Sequence, residues 1–110
     1  MKIASILQGD YRLATRAGSE QSDYLGVYAG DLLSVVMKSA RSQNVLVTVM
    51  ANMNAVAVAS LIDLPAIIFC EGCKATPEMI TRADREGIAL IETTYKAVDV
   101  IIDLARRGLL

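Results

Sequence analysis

Two cysteines, Cys70 and Cys73, stand in the spacing Cys-x-x-Cys and have the most readily named chemistry in the chain. Thiolates at this spacing bind zinc or an iron–sulfur cluster, or form a redox-active disulfide. A zinc site needs four ligands and the chain has no histidine, so these candidate metal ligands would have to come from two copies. In a redox pair the first cysteine lies near the N-terminus of a helix. Here Pro77 marks the start of the next helix several residues after the two cysteines. The alternative, which we favour, is a buried Cys70 and a Cys73 in a turn.

A second candidate site consists of polar residues that follow predicted strands. In open α/β sheets the carboxyl ends of the strands meet at one edge, where ligands bind and where helix N–H groups favour an anion. The sequence therefore predicts a site for a nucleotide or another anion, lined by Asp31, Asn52, Asn54, Gly72, Lys74 and Thr93. Several of these residues have an alternative role as helix caps: Asp31, Asn52 or Asn54, and Thr93 with Thr94.

No set of residues with a catalytic spacing is found. The chain has no histidine to activate a serine, and Lys74 is not part of a P-loop because Ala75 stands where a hydroxyl is needed. The 11 basic and 12 acidic residues give a net charge of -1, without the basic excess of a dedicated nucleic-acid binder. We predict no catalytic residue, no enzymatic activity, no nucleic-acid partner, and no cofactor apart from the nucleotide or metal alternatives above.

The distribution of apolar residues bears on the compartment. The longest apolar stretch, 55–70, is interrupted by Asp63 and Pro65 and is shorter than the roughly 20 residues that a membrane-spanning helix needs. The first apolar residues are followed too early by Gln8 to form a signal peptide. Two cysteines are few for a small secreted domain. We expect a cytoplasmic protein with no membrane partner.

The elements that position these residues alternate from Gly30 onward. Apolar spacing and capping residues predict helices over 32–40, 55–62, 77–86 and 95–107, and short buried strands over 45–50, 66–69 and 88–91. Thr76, Pro77 and Glu78 form an N-terminal helix signature, and Gly87 ends that helix. The predicted apolar faces are Leu32, Leu33, Val36, Met37 and Ala40 in the first helix, and Val98, Ile101, Ile102 and Ala105 in the last.

This alternation predicts an α/β fold, a single three-layer domain over 1–110 with a mostly parallel sheet and helices on both faces. The first part, 1–29, is less regular, and Tyr11–Arg16 and Tyr24–Ala29 are its predicted strands. A short chain buries a small fraction of its surface, so an apolar content of 54% favours a homodimer. The helix after Asp31 and the last helix are the candidate interfaces.

Three segments resemble stand-alone proteins of the DRTGG-domain family. They are 26–37, which resembles the opening helix of those proteins, 56–61, and 76–93, and their order and spacing cover most of the chain from Gly26 onward. The family is similar to the N-terminal domain of HPr kinase/phosphorylase, which is not its kinase domain. The resemblance implies a compact, commonly dimeric α/β domain with a regulatory or protein-interaction role, and it implies no kinase activity.

The residues that give the family its name differ here. Ala51 and Asn52 stand where the family has its Asp-Arg element, and Glu71, Gly72 and Cys73 stand where it has Thr-Gly-Gly, so Gly72 alone carries over. We therefore expect a non-catalytic regulatory or protein-interaction domain that acts as a homodimer and contacts a partner protein. The alternatives are a sensor that binds a nucleotide or other anion at the loops, and a redox or metal site at the cysteine pair.

Overall fold

A computed structural model describes all residues, 1–110, and contains five strands and four α-helices. The strands are β1 (Arg12–Leu13), β2 (Val27–Ala29), β3 (Val45–Thr48), β4 (Ala66–Phe69) and β5 (Ala89–Glu92). The helices are α1 (Leu33–Ser39), α2 (Met53–Leu61), α3 (Pro77–Glu86) and α4 (Ala97–Arg106). Two short 3-10 helices, Ile3–Ile6 and Ser19–Gln21, lie in the N-terminal segment.

The five strands form one sheet in the order β1-β5-β4-β3-β2. The strands from β2 to β5 are parallel to their neighbours, and β1 pairs antiparallel with β5 at one edge, where Arg12 lies opposite Glu92. The predicted mostly parallel α/β sheet is therefore confirmed. β3, β4 and β5 are buried along their whole length, as continuous apolar runs without alternation predict.

Each face of the sheet has its own hydrophobic core, so the structure has three layers. On one face α1, α2 and α3 pack against the strands through buried residues that include Val36, Val56, Met79 and Ala83. On the other face α4 and the N-terminal segment contribute Ile3, Ile6, Tyr24, Val100 and Leu104. Side chains of successive strand residues alternate between the two cores, for example Ile67 in one and Ile68 in the other.

The predicted capping residues of α2 and α3 are confirmed. Asn52 Oδ1 accepts a hydrogen bond from the Ala55 N–H at 3.3 Å, and Thr76 Oγ1 accepts one from the Met79 N–H at 3.2 Å. Gly87 ends α3 with a φ of 72°, in the left-handed region that favours glycine. The bounds of the core helices and strands differ from the predicted ones by at most two residues, which is the usual fraying of element ends.

Two predicted caps are wrong. No side chain caps α1, and the Asp31 carboxylate instead accepts hydrogen bonds from Thr48 Oγ1 at 2.8 Å and from the Val49 N–H at 2.9 Å. No side chain caps α4 either, because Thr93 Oγ1 accepts a hydrogen bond from the Tyr95 N–H at 3.2 Å before that helix begins. A side-chain oxygen that can cap a helix can also accept a hydrogen bond from a neighbouring loop. At Asp31 and Thr93 the oxygen accepts from the loop.

The buried faces of two helices agree only in part with the predicted faces. In α4, Val100 and Leu104 are fully buried, whereas Val98 and Ile102 of the predicted face are 61% and 43% exposed. This helix is apolar on two sides, so the periodicity of its residues does not decide which side faces the sheet. In α1, Val36 is buried and Leu33 and Ala40 pack against the core, as predicted, whereas Leu32 and Met37 are exposed.

The first 29 residues cover the α4 face of the sheet with little regular structure. The strands β1 and β2 have two and three residues, shorter than the predicted segments 11–16 and 24–29. The Tyr24 ring is buried, and its hydroxyl donates a hydrogen bond to the Leu109 carbonyl, which ties this segment to the end of the chain. No helix of the structure has the length and apolar character that a bilayer crossing requires.

Candidate functional site

The carboxyl ends of the parallel strands β2, β3, β4 and β5 lie at one edge of the sheet, which we call the loop rim. Neighbouring strands are about 4.8 Å apart, so the ends of β2 and β5 are separated by about 14 Å. Within this distance the predicted site residues fall into two groups. One is a hydrogen-bonded group at Asp31, and the other comprises Gly72, Thr93 and Lys74, which is ion-paired with Glu92. The side chain of Asn52 caps α2, and Asn54 is exposed in the first turn of that helix.

The Asp31 group is a set of hydrogen bonds within the chain. Asp31 Oδ1 accepts from the Thr48 hydroxyl and from the Val49 N–H, and Thr48 Oγ1 in turn accepts from the Met50 N–H at 3.1 Å. These bonds tie the loop after β2 to the end of β3. The group therefore positions two loops, and its Oδ1 atom is already occupied by two donors.

The loop between β4 and α3 has donors that point at the next loop rather than at solvent. The Glu71 N–H donates to the Tyr95 carbonyl at 2.9 Å, and the Gly72 N–H donates to the Thr93 carbonyl at 3.0 Å. Glu71 and Gly72 both have positive φ, 58° and 76°, and Gly72 adopts this geometry without the strain that a side chain brings. The predicted anion site at these backbone N–H groups is thus unsupported here, because each of them already has a partner.

Glu92 provides a carboxylate at the place where a bound anion was predicted. Its side chain is 4% exposed, and Oε2 accepts a hydrogen bond from the Ala75 N–H at 2.8 Å, just before α3 begins. Oε1 forms an ion pair with the Arg12 guanidinium and lies 3.8 Å from Lys74 Nζ. The positive end of α3 and two cations therefore share an internal anion.

Asp10 closes the same end of the rim. The Thr94 hydroxyl and the Thr94 N–H donate to its carboxylate, the N–H at 3.0 Å, and Thr93 Oγ1 lies 3.4 Å away. The bonds from Thr94 are the main reason why the pKa of Asp10 lies below its usual value. Thr93 and Thr94 thus fix the N-terminal segment to the loop that leads into α4.

The two cysteines are free thiols with different surroundings. Cys70 is fully buried at the end of β4, and Cys73 is half-buried in the turn that its N–H makes with the Cys70 carbonyl, 3.1 Å away. Burial, with smaller contributions from Asp31 and Glu71, raises the pKa of the Cys70 thiol to about 11. A protonated, buried thiol is a poor nucleophile and a poor metal ligand. The structure also contains no cluster of three or more side chains that could hold a metal ion.

The residues around Glu92 were not predicted from the sequence. Glu92 directly follows the apolar run 88–91, and a single carboxylate at the end of a buried strand is a signal that points to a paired charge. Arg12 has no comparable signal, because the N-terminal segment has no periodicity that would place it beside β5. Lys74 was predicted as a ligand contact, and the structure places it near Glu92.

A cavity of about 300 Å³ opens beside Glu92, and we call it the basic pocket. Its charged lining residues are Arg12, Arg16, Lys74 and Glu92, so three cations face one carboxylate. The Arg16 guanidinium has no ion-pair partner, and the backbone N–H of Arg16 donates a hydrogen bond to Asp84 Oδ1 at 2.8 Å. The remaining residues that line the basic pocket are Leu13, Ala14, Thr15, Ala75 and Ile80. The local excess of positive charge suits an anionic ligand.

A larger cavity lies away from the loop rim. It has a volume of about 430 Å³ and lies at the opposite edge of the sheet, before β4 and β5. Its charged lining residues are Asp63 and Glu86. An anion would be repelled there, so volume alone does not select the site.

Comparisons with known proteins add one finding about the fold. No protein-family model matches the chain, and no curated protein matches it by sequence. A solved structure that matches is that of the CBS and DRTGG domains of the regulatory region of Clostridium perfringens pyrophosphatase, complexed with its activator diadenosine tetraphosphate. The TM-score is 0.73 with 12% identity, over 91% of this chain and 43% of that chain. This chain therefore spans less than half of that neighbour, and at this identity the likeness shows a DRTGG-like fold.

Proposed function

We propose that this chain is a non-catalytic regulatory or protein-interaction domain of the DRTGG type that acts as a homodimer. The observation that carries the proposal is the shared fold, which extends over 91% of the chain. The matching protein region is regulatory, and a domain of the same architecture suits the same kind of role. Similarity to the N-terminal domain of HPr kinase/phosphorylase, and a location in the cytoplasm, remain expectations from the sequence.

The hydrogen bonds of the loop rim support a role without bond-making chemistry. Asp31, Gly72 and Glu92 each have internal partners that join one loop to another. A carboxylate that already accepts bonds from fixed donors is poorly placed to take a proton from a substrate. The rim is therefore suited to holding four loops in one conformation.

A turnover assay tests the non-catalytic part of the proposal. The purified chain is incubated with ATP, with GTP and with pyrophosphate, and release of phosphate is measured. We expect rates that do not exceed those of the buffer. A turnover that disappears in the variant Asp31→Asn or Glu92→Gln, while both variants remain folded by circular dichroism, would overturn the proposal.

Sedimentation equilibrium at micromolar concentration tests the homodimer. We expect a mass of twice the 11.8 kDa of one chain. The matching control is the same measurement in high salt and at lower concentration, because a specific dimer dissociates with a single dissociation constant. A monomer throughout the micromolar range contradicts the homodimer and leaves the regulatory assignment to be judged by partner binding.

The basic pocket favours a second function, in which the chain is a sensor that binds a nucleotide or a similar anion. The pocket brings the unpaired Arg16 beside Lys74 and Arg12, and its volume of about 300 Å³ accepts a phosphate group with part of a nucleoside. Nucleotides are a reasonable class of ligand because the matching protein region is complexed with diadenosine tetraphosphate. The site would lie at β1 and the loop before α3, not at the Gly72 N–H.

Thermal unfolding with AMP, ADP, ATP and diadenosine tetraphosphate tests this second function. A ligand at about 100 times its Kd stabilises the folded chain by about 2.7 kcal/mol, which is easily measured. The shift should disappear in Arg16→Ala and Lys74→Ala and persist in Arg85→Ala, an exposed arginine of α3 outside the pocket. If none of the four nucleotides raises the melting temperature, the nucleotide sensor is wrong.

A further inference from the structure

Helix α4 has a second apolar side that faces away from the sheet. Val98 and Ile102 are 61% and 43% exposed, and they are four residues apart, which places them on one face of the helix. Tyr95, 38% exposed, lies just before the helix, where its ring packs edge-on against Tyr11 at 5.6 Å between centroids. Single exposed apolar residues are common, but a row of them along one helix is typical of a contact surface. We call Tyr95, Val98 and Ile102 the α4 stripe.

Two charged residues of opposite sign border the α4 stripe. At about 100° per residue, Asp99 and Arg106 are displaced from Ile102 by about 60° and about 40° in the same direction around the helix. Both are exposed, and neither forms an ion pair or a hydrogen bond within the chain. The negative charge is near the N-terminal end of the stripe and the positive charge near its C-terminal end.

This arrangement is complementary to itself in one orientation. When two identical helices pack antiparallel about a two-fold axis, the same side of each helix meets, and their residue order is reversed. Asp99 stands three residues before Ile102, and Arg106 stands three residues after Asp103, so an axis between Ile102 and Asp103 pairs them. Each Asp99 then lies opposite Arg106 of the partner subunit. A parallel arrangement also brings the two stripes together, but residues of equal number then lie at the same height, so Asp99 and Arg106 of the partner subunit stay about 10 Å apart along the helix axis.

The remaining charges near the stripe are compatible with this pairing. Asp103 accepts hydrogen bonds from the Tyr11 hydroxyl and from Arg107, each at 2.9 Å, so its charge is compensated inside the chain. Another row of exposed apolar residues, on α1, has Leu32, Val35 and Met37 but only Lys38 as a charged residue in the helix. Two copies of that helix would bring lysines together without an acid to pair with them.

We propose that two copies of this chain associate through antiparallel packing of their α4 stripes, with Asp99 and Arg106 paired twice across the two-fold axis. The proposal rests on the homodimer of the proposed function and names its interface. The apolar stripe provides most of the affinity, because exposed ion pairs contribute about 0.2–1 kcal/mol each. The charges select the antiparallel orientation and the identity of the partner.

The first test is a matched pair of variants measured by sedimentation equilibrium. Ile102→Asp and Val35→Asp replace two residues that are both 43% exposed, one in the α4 stripe and one on α1. We expect Ile102→Asp to be monomeric and Val35→Asp to remain dimeric. Melting curves of both variants verify that each is folded. A dimeric Ile102→Asp, or a monomeric Val35→Asp, shows that the interface lies elsewhere.

The second test uses charge reversal, which does not depend on removing apolar surface. In Asp99→Arg or Arg106→Asp, like charges face each other at two symmetric places, and we expect the dimer Kd to rise about tenfold or more. The double variant Asp99→Arg/Arg106→Asp should regain the wild-type Kd. An equimolar mixture of the two single variants should associate, because the two arginines of one chain then face the two aspartates of the other.

The outcomes separate the interface from the homodimer itself. Wild-type protein that is monomeric at micromolar concentration overturns both the homodimer and this interface. Wild-type dimer with unchanged Kd in the charge variants overturns the α4 interface and retains the homodimer. Failure of the mixed single variants to associate, when each alone is weakened, overturns the antiparallel pairing.

Discussion

Glu92 shows how a single carboxylate can occupy a site that fold geometry would offer to a ligand. The loop before α3 has a helix N-terminus, an arginine and a lysine directed to one point, which are the components of an anion site. In this chain the anion is part of strand β5. The interaction joins β1, β5 and α3, so it contributes to the fold while it fills the site.

Substituting Glu92 should therefore change stability and binding in opposite directions. Glu92→Gln keeps the shape of the side chain but removes the charge-assisted bonds, and we expect a loss of about 1–3 kcal/mol in urea unfolding. Inorganic phosphate should stabilise this variant more than the wild type, because Arg12 and Lys74 no longer face the negative charge of the Glu92 carboxylate. The control Glu86→Gln, in an exposed pair with Arg82, should lose at most about 0.5 kcal/mol. A Glu92→Gln protein as stable as the control would contradict this role.

Cys70 and Cys73 should differ in reactivity although they are three residues apart. Iodoacetamide should modify Cys73 in the folded chain and leave Cys70 intact near neutral pH, because Cys70 is buried and its thiol has a pKa of about 11. The unfolded chain ionises at a lower pKa, near the usual value of 9.0. The contribution of the Cys70 thiol to the free energy of unfolding is therefore fully present below pH 9.0. It is lost as the pH rises through about 11, where the folded chain also ionises.

Mass spectrometry of the alkylated chain, with and without denaturant, measures the difference. In denaturant both cysteines should react. Equal modification of both residues in the folded chain would contradict the burial of Cys70, and Cys73→Ser identifies which residue carries the label.

At the scale of the elements, α3 begins with three local signals that agree. Thr76 accepts a hydrogen bond from the Met79 N–H, Pro77 is the first helical residue, and Glu78 lies in the first turn. Thr76→Ala should cost about 1 kcal/mol in unfolding free energy. Thr81→Ala, in the exposed middle of the same helix, should cost less than about 0.5 kcal/mol. Equal losses in the two variants would mean that the cap does not stabilise this helix.

Local signals of this kind made most of the fold predictable. The strands β3, β4 and β5 were predicted because a buried parallel strand is apolar at nearly every position, and the chain has three such short runs. The buried face of α4 was not predictable, because both of its sides are apolar and the choice depends on the sheet. Asp31 was mistaken for a cap because residues that accept from a helix N–H also accept from a neighbouring loop.

At the scale of the whole molecule, a cluster of polar aromatic and charged groups fastens the N-terminal segment to α4. The Tyr11 hydroxyl donates to Asp103, the Arg107 guanidinium lies over the Tyr11 ring at 5.4 Å, and Arg107 also donates to the carbonyls of Ser5 and Ile6. None of these contacts was predictable from local pattern, since they join residues about 90 or more positions apart.

This cluster should make the free energy of unfolding depend on pH in the acidic range. Partial burial alone would raise the pKa of Asp103, but the hydrogen bonds from Tyr11 and Arg107 outweigh it, so the pKa lies below the usual 3.8. Its contribution to stability is present above about pH 4 and is lost as the pH falls through the lowered pKa. Urea midpoints measured from neutral pH down to about pH 3 should therefore fall less steeply in Tyr11→Phe than in the wild type. Parallel curves for the two proteins would contradict the assignment.

The two ends of the chain meet at one residue, Tyr24. The Met1 amino group donates to the Tyr24 carbonyl at 3.2 Å, and the Tyr24 hydroxyl donates to Leu109, one residue before the last. A short glycine-rich tether could then join first and last residues, with new ends opened in the exposed polar turn at Arg41–Gln43. Such a circular permutant would keep every strand of the sheet in its place while β3, β4 and β5 come before β1 and β2 along the chain.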